Sequence, residues 1–476
     1  MGSKVRLRVA LCGVGIHAYW EQFHSLRPEL LGYLRTLTAG LSFSDIEFLE
    51  LGLVDTPSCA REAGHRCRRE DVDLLLIYVT TYALSNTVLP LVRKAGVPVL
   101  VLNLQPRAAI DYTSFNSLPD RRIMTATWLA YVSACPVPEI ANVFKRAAIP
   151  FHQVTGVLNE DHTWNQIRDW LAAAEVKSVL EEARLGLLGH YYSGMLDVGT
   201  DVTQVSITFG THVEILEVDE LSALRASVSD NDIARRVEEI EDHFAVQADC
   251  VEDELKRAAR TSVALDRFVQ QHKLDFMAYY YKGSGNAENE DTMSSIILGT
   301  SLLTARNIPV AGEYEVKNAI AMKIMDSFGV GGSFSEYYGF DFNADLVLMG
   351  HDGPGHIAIA EGKPKVRPLQ VYHGKVGRGL SVEMSVRYGP VTLLSVAEDN
   401  AKGFKFLVAE GECVPGEILK IGNTNSRYHF SIGARSFVEN WNAQGPAHHC
   451  AIGIGHIAHR IEKLASLLDI GFYKVC

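Results

Sequence analysis

Glu313, Glu336 and His351, with the adjacent pair His448 and His449, are the side chains of this 476-residue chain whose types and spacing could do chemistry. Two carboxylates with imidazoles make an oxygen and nitrogen donor set. Such a set suits a divalent ion such as Mn²⁺, Co²⁺ or Mg²⁺ better than a thiolate site would. The first three groups fall in one span, Val310 to His356, which reads VAGEYEVKNAIAMKIMDSFGVGGSFSEYYGFDFNADLVLMGHDGPGH. The pattern predicts a strand ending near Glu313, a helix from Glu315 to Phe328 with a wide apolar face, Glu336 just past that helix, and a strand DLVLMG that delivers His351. Ligands of open α/β sheets gather outside the carboxyl ends of the strands. The spacing is therefore compatible with one cleft holding Glu313, Glu336 and His351, and the pair in QGPAHHCAIG could supply a fourth ligand. Plainer roles stay open: a Glu near a helix start also favours the macrodipole, and a His in a Gly-rich turn can be a satisfied loop residue.

The elements that must position these groups follow from periodicity. RLRVALC, IEFLELGLV, DLLLIYVT, VPVLVLNL and PFHQVTG read as strands separated by helical patterns, which implies βαβ units and a parallel sheet. A second series, RLGLLG, HVEILEV, LDFMAYYY and IPVAG, repeats the arrangement from about Arg184. The charged stretch from Asn231 to His272 reads as two amphipathic helices with solvated charged faces. Beyond Gly331 the runs HIAIAEG, LQVYHG, LSVEMSVRYG, VTLLSVAED and KFLVAEGEC, broken by Gly, Pro, Asn and Asp, predict an antiparallel sheet or small barrel, closed by a helix in HIAHRIEKLASLLD. The expected architecture is two doubly wound parallel-sheet domains, 1–178 and 179–330, followed by a β-rich domain over 331–476. After its first strand each α/β series places an imidazole and aromatic rings: Gly15, His17 and Tyr19 in one, Gly189, His190, Tyr191 and Tyr192 in the other. A small polyol could be gripped there by hydrogen bonds and stacking, or the rings could simply pack over the sheet edge.

Composition narrows the function. A net charge of −12 argues against nucleic acid and anionic membranes, which select basic surfaces, and is compatible with a neutral sugar. No apolar run approaches the length of a membrane span. The start of the chain lacks the apolar region of a signal peptide, and the eight scattered cysteines include no CxxC pair, so a cytoplasmic protein with reduced thiols is expected. Two rival readings remain. CGVGIHA satisfies GxGxxA after a strand, the fingerprint of a dinucleotide site and hence of a nicotinamide-dependent oxidoreductase, although His17, Tyr19 and Trp20 are bulky where a pyrophosphate needs bare amides. A non-catalytic sugar-binding protein would suit two βαβ domains, but would leave the carboxylate and imidazole groups idle.

The segments AGE ending at Glu313, GGSFSEYY around Glu336, DLVLMGH ending at His351 and GPAHH ending at His449 resemble, in order and spacing, the metal-site motifs of the L-arabinose isomerase family within the wider arabinose/fucose isomerase group. The resemblance implies that Glu313, Glu336, His351 and His449 hold a divalent metal, Mn²⁺ or else Co²⁺ or Mg²⁺, and that the two glutamates transfer protons. It implies isomerisation of a free aldose to a ketose, L-arabinose to L-ribulose and D-galactose to D-tagatose, with L-fucose or D-arabinose as alternative substrates. It also implies a homotrimer or homohexamer with sites shared between subunits. GVGIHAY, NLQP and GHYYSGMLD resemble the family more weakly and suggest His17, Tyr19, Gln105, His190 and His448 as sugar contacts. The common family form has Gln at the position of Ile16 and His at that of Asn103, departures that touch the substrate side and leave the sugar open.

Overall fold

Apolar runs that do not alternate become central parallel strands in this chain, as burial on both faces demands. The computed structural model describes residues 6–41, 46–131, 134–283, 285–369, 378–399 and 403–476. The chain divides into two compact units, Lys4–Ser178 and Val179–Cys476.

In the first unit, strands β1 (Arg8–Val14), β2 (Glu47–Val54), β3 (Leu74–Val79), β4 (Val99–Gln105) and β5 (Phe151–Val157) form a parallel sheet in the order β2-β1-β3-β4-β5. Every residue of LLLIYV in β3 is buried. The order reverses between β1 and β3, which marks the crevice of a doubly wound sheet. The dinucleotide fingerprint lies there, yet its amides are spent within the protein: Gly15 N–H donates to Val54 O (3.2 Å) and His17 N–H to Asp55 O (3.4 Å). The helix behind it spans only Tyr19–Gln22, and a Cβ on Gly15 would press on the Trp20 ring. A pyrophosphate would find neither bare amides nor a helix dipole.

The second unit begins with β6 (Arg184–Gly189), β7 (His212–Leu216), β8 (Ala245–Val246), β9 (Phe276–Tyr280) and β10 (Val310–Ala311). Four of these make a second parallel sheet, β10-β9-β6-β7, whose order reverses between β6 and β9. The strands that follow are β11 (Gly331–Asp341), β12 (Leu346–His351), β13 (Lys365–Pro368), β14 (Leu380–Glu383), β15 (Gly389–Asp399), β16 (Gly403–Val414), β17 (Thr424–His429), β18 (Cys450–Ile454) and β19 (Gly471–Lys474). Seven of them run β15-β18-β11-β12-β17-β16-β19, and a further β15–β16 pairing closes the sheet into a barrel, with β19 parallel beside β16. The fold is thus mixed α/β: two doubly wound parallel sheets and an antiparallel barrel. β8, β13 and β14 form a small third sheet of this unit.

Helix Val316–Ser327 joins the parallel sheet to the barrel. Its residues from Val316 to Met325 are all buried, so it is enclosed on every side rather than on one apolar face. Three local expectations are corrected. Glu336 lies in mid-strand on β11, because Gly331 and Gly332, with φ of 90° and 128°, turn the chain directly from the helix into the barrel. HIAIAEG forms a 3₁₀ turn at Ile357–Ile359 rather than a strand. The charges of helices Asp230–His243 and Glu252–His272 are not all solvated, for Arg236 and Arg257 are buried. Arg257 is paired with Glu254 at 2.6 Å and donates to the Asp291 carbonyl and the Ser294 hydroxyl at 2.8 Å, and Arg236 pairs with Asp266. A long cationic side chain can enter a core only when its donors are matched in this way. The run LQVYHG falls, after its first residue, outside the described residues. No helix among the described residues is long and apolar enough to cross a membrane.

One barrel glycine controls the site's register. Glu336 on β11 pairs with Gly350 on β12, and a Cβ at Gly350 would overlap the carbonyl of Thr424 on β17. Gly350→Ala is expected to cost about 1–3 kcal/mol through forced backbone displacement, read as a lower denaturation midpoint in urea.

Candidate active site

Glu313 stands at the carboxyl end of the second parallel sheet. It and Tyr314 both adopt left-handed backbone, φ 57° and 60°, which costs a non-glycine residue roughly 1–2 kcal/mol. Two hydrogen bonds hold this turn: Tyr314 N–H donates to Tyr279 O at 2.9 Å, and Glu315 N–H to Gly312 O at 3.0 Å. Glu315 is the N-cap of helix Val316–Ser327, but its side chain makes no capping bond. It reaches His449 instead.

The barrel supplies the facing groups. Strand β11 lies between β12 and β18, so Glu336 on β11 is flanked by His351, the last residue of β12, and by His449, the residue before β18. Phe334, two positions before Glu336 and on the same face of the strand, packs against both imidazoles, with ring centroids 4.4 Å from His351 and 4.3 Å from His449. One oxygen of Glu313 lies 3.9 Å from His351 Nε2, and the other lies 3.5 Å from the Nε2 atoms of both His448 and His449. Donor atoms of Glu336, His351 and His449 all lie within 4.8 Å of one another, as do those of Glu313, His448 and His449.

Each inner ring is oriented from behind. His449 Nδ1 is 2.9 Å from Glu315 Oε2, both side chains being fully buried, and His351 Nδ1 is 2.8 Å from the Asp352 carbonyl. The Asp352 carbonyl can only accept, so His351 carries its proton on Nδ1 and keeps the Nε2 lone pair; an ionised Glu315 imposes the same on His449, the arrangement that metal-ligating histidines require. Glu313 Oε2 and His449 Nε2 are buried without hydrogen-bond partners. Buried polar atoms are costly when unpaired, and a cation between them would satisfy both. The donor set therefore fits a divalent ion.

The electrostatics separate these groups. Burial pushes Glu336 up to about 7 and Glu315 up to about 8. Burial also acts on Glu313, but the His448, His449 and His351 rings opposite it prevail and hold it below the usual carboxylate range. Burial lowers His351 to about 4 and His449 to about 3, so both are neutral. His448 is also penalised by burial, but Glu313 and Asp197 raise it to about 9.

A cavity of about 250 Å³ opens on the cluster, lined by Tyr192, Met195, Tyr280 and Met293 together with Glu313, Glu336, His351 and Asp352; among the described residues no Lys or Arg lines it. The lining is acidic and aromatic, surfaces that suit hydroxyl groups and the C–H faces of a small polyol.

The structure therefore gathers Glu313, Glu336, His351, His448 and His449. His190 lies at the end of β6, where Nδ1 meets the Tyr191 carbonyl at 2.9 Å and Nε2 is 3.5 Å from Lys282 N. Its ring packs 5.4 Å from that of Tyr280, so it supports the cavity wall and does not line it. His17, Tyr19 and Gln105 belong to the other unit. There His17 Nδ1 is 3.4 Å from Asp55, Tyr19 packs edge-on against Phe23 at 6.1 Å, and Gln105 ends β4. Sequence reasoning passed over Glu315, Asp197 and Phe334. Glu315 and Phe334 stand two residues from Glu313 and Glu336 and could have been found by asking what orients each histidine ligand. Asp197 lies 251 positions from His448 and carries no local signal.

Comparison with known proteins matches residues 331–471 to the L-arabinose isomerase C-terminal domain and residues 196–326 to the L-arabinose isomerase central domain, together more than half of the chain. An L-arabinose isomerase of Nocardioides sp. is 24% identical over 345 residues, covering 69% of this chain and 67% of the relative. One from Klebsiella pneumoniae is 25% identical over 431 residues, covering 86% and 83%. One from Shewanella sp. is 24% identical over 373 residues, covering 75% and 73%.

Proposed function

We propose, from the premise that this chain belongs to the L-arabinose isomerase family, that it is a divalent-metal-dependent enzyme interconverting a free, unphosphorylated aldose and its ketose. L-arabinose to L-ribulose is the first substrate pair, D-galactose to D-tagatose the second, and L-fucose and D-arabinose the alternatives. The observation that carries this reading is the convergence of two glutamates and two oriented histidines on a cavity with no Lys or Arg among its described lining residues.

Glu313, Glu336, His351 and His449 would hold the ion, Mn²⁺ or else Co²⁺ or Mg²⁺. When bound, it supplies positive charge against the negative charge that develops on the two sugar oxygens. The remaining chemistry belongs to the side chains. Glu313, held below the usual range, is ionised and can take the C2 proton and return it to C1. Glu336, on the facing strand, can carry the hydroxyl proton from O2 to O1. A hydride route would move the C2 hydrogen directly and leave Glu336 the same task. His448 lies against the sugar side of Glu313, while the tyrosine faces of the cavity offer stacking to C–H surfaces. His17, Tyr19 and Gln105 complete the proposed sugar contacts, with His190 bracing Tyr280, in a homotrimer or homohexamer of cytoplasmic location. Sedimentation analysis of the purified protein checks the assembly.

Metal binding should depend on pH with a definite sign. The metal-free site holds protons on Glu336 up to about 7 and on Glu315 up to about 8, and a cation favours their ionised forms. Affinity therefore rises with pH through this window and flattens above it. Calorimetry in buffers of different ionisation enthalpy should show proton release at pH 6.5 that fades by pH 9.

The function is tested by ketose formation from L-arabinose, D-galactose, L-fucose, D-arabinose and D-xylose, using EDTA-stripped protein with and without Mn²⁺. Metal-restored turnover of one of these sugars is expected. An Mn²⁺-loaded protein that converts none would overturn the reading.

A further inference from the structure

We propose that Asp197 is a positioning residue for this reaction, setting the His448 ring so that its Nε2 faces Glu313 and the sugar hydroxyl lying against it. The inference rests on the isomerase reading above and adds to it a residue far from the site motifs in sequence.

Adjacent histidines here face different problems. The His449 side chain is fully enclosed and needs only one partner to fix its ring, whereas that of His448 is one-third exposed (34%) and would otherwise turn freely. Asp197 removes that freedom twice with one oxygen. Its Oδ2 accepts the main-chain N–H of His448 at 3.0 Å and lies 2.6 Å from Nδ1 of the ring. Fixing the backbone and the ring from one point leaves Nε2 a single direction, toward Glu313 Oε2 at 3.5 Å.

The carboxylate is itself held. Asp197 sits in a 3₁₀ turn, Leu196–Val198, with no regular element to stiffen it. Lys317, buried in helix Val316–Ser327, donates from Nζ to the carbonyls of Asp197 at 2.6 Å and Gly199 at 3.1 Å. Thr200 extends the tether: its hydroxyl donates to Glu398 at 3.1 Å, and its carbonyl accepts from the Tyr191 hydroxyl at 3.3 Å. Residues 313–317 thus serve the site three times. Glu313 faces the cavity, Glu315 holds His449, and Lys317 holds the turn that holds His448. Catalytic groups need orientation within a fraction of an ångström, and this chain of contacts provides it for the most exposed of them.

A double-mutant cycle separates this role from a general structural one, because residues that act as a unit are not additive. D197A is expected to lower kcat/KM by about 10–100-fold, the usual loss on removing an orienting partner. In an H448A background it should cost nothing further. The affinity for a pentitol, which binds but cannot isomerise, should follow the same pattern, with Mn²⁺ binding unchanged in all four proteins. D197N keeps an oxygen acceptor and should retain more activity than D197A; it replaces D197A in the cycle if the latter does not fold. Equal losses with and without His448, or no loss at all, would overturn the proposal and leave the isomerase reading intact. A wild-type protein that turns over no aldose would overturn the isomerase reading, and this role with it.

Discussion

Glu313→Gln is expected to abolish measurable isomerisation, lowering kcat by about 10²–10⁴-fold through loss of the proton acceptor alone, while the fold survives. Glutamine keeps the shape of a side chain that stands in a left-handed turn held by main-chain bonds, so backbone geometry should not change. The lost negative charge matters on three sides, since His351, His448 and His449 all lie within 4 Å of this carboxylate. Glu336→Gln should be similarly inactive for a different reason: its amide cannot take up and release the proton that a carboxylate at this position can. Kinetics on the best sugar of the panel, beside thermal denaturation of each variant, check both. A variant that keeps near-native kcat would remove that glutamate from the mechanism.

The second large effect is expected at His449. His449→Ala removes a donor whose Nε2 is buried and unpartnered, and Mn²⁺ affinity should fall by at least about 100-fold, with turnover falling alongside. The orienting carboxylate gives a graded series. Glu315→Gln still offers an oxygen to Nδ1 and should weaken metal binding by about tenfold, and Glu315→Ala by about 100-fold, the range typical of a ligand's orienting partner. Electron paramagnetic resonance of free Mn²⁺ during titration measures all three. If Glu315→Ala bound Mn²⁺ as tightly as the wild type, the orienting role of the Glu315–His449 pair would fall.

Much of the fold was legible because its signals are local. LLLIYV and RLGLLG read as buried parallel strands, and both lie within sheets. The antiparallel barrel follows from short strands punctuated by turn residues. What sequence misread was context. HIAIAEG is a short apolar run bounded by turn residues, as a strand would be, but forms a 3₁₀ turn, since such a run reports burial and not whether a neighbouring strand is available. Arg236 and Arg257 look like parts of a solvated face, yet both are buried because acidic partners from other helices reach them.

At the site the division is similar. Sequence by itself determined the residue types and two of the ends on which they stand: Glu313 after a strand of a parallel sheet and His351 closing a later strand, with His449 placed only within QGPAHHCAIG. Those positions follow from periodicity and turn residues, which act over a few residues. Only the tertiary structure decided that β11 would lie between β12 and β18, so that Glu336 meets both His351 and His449. It alone decided that Glu315 would turn from its helix cap to a histidine, and that Asp197 would reach across 251 positions to its neighbour. Strand order and burial are properties of the whole packed unit: they set which side chains lose water together, and hence which carboxylate stays charged and which holds its proton.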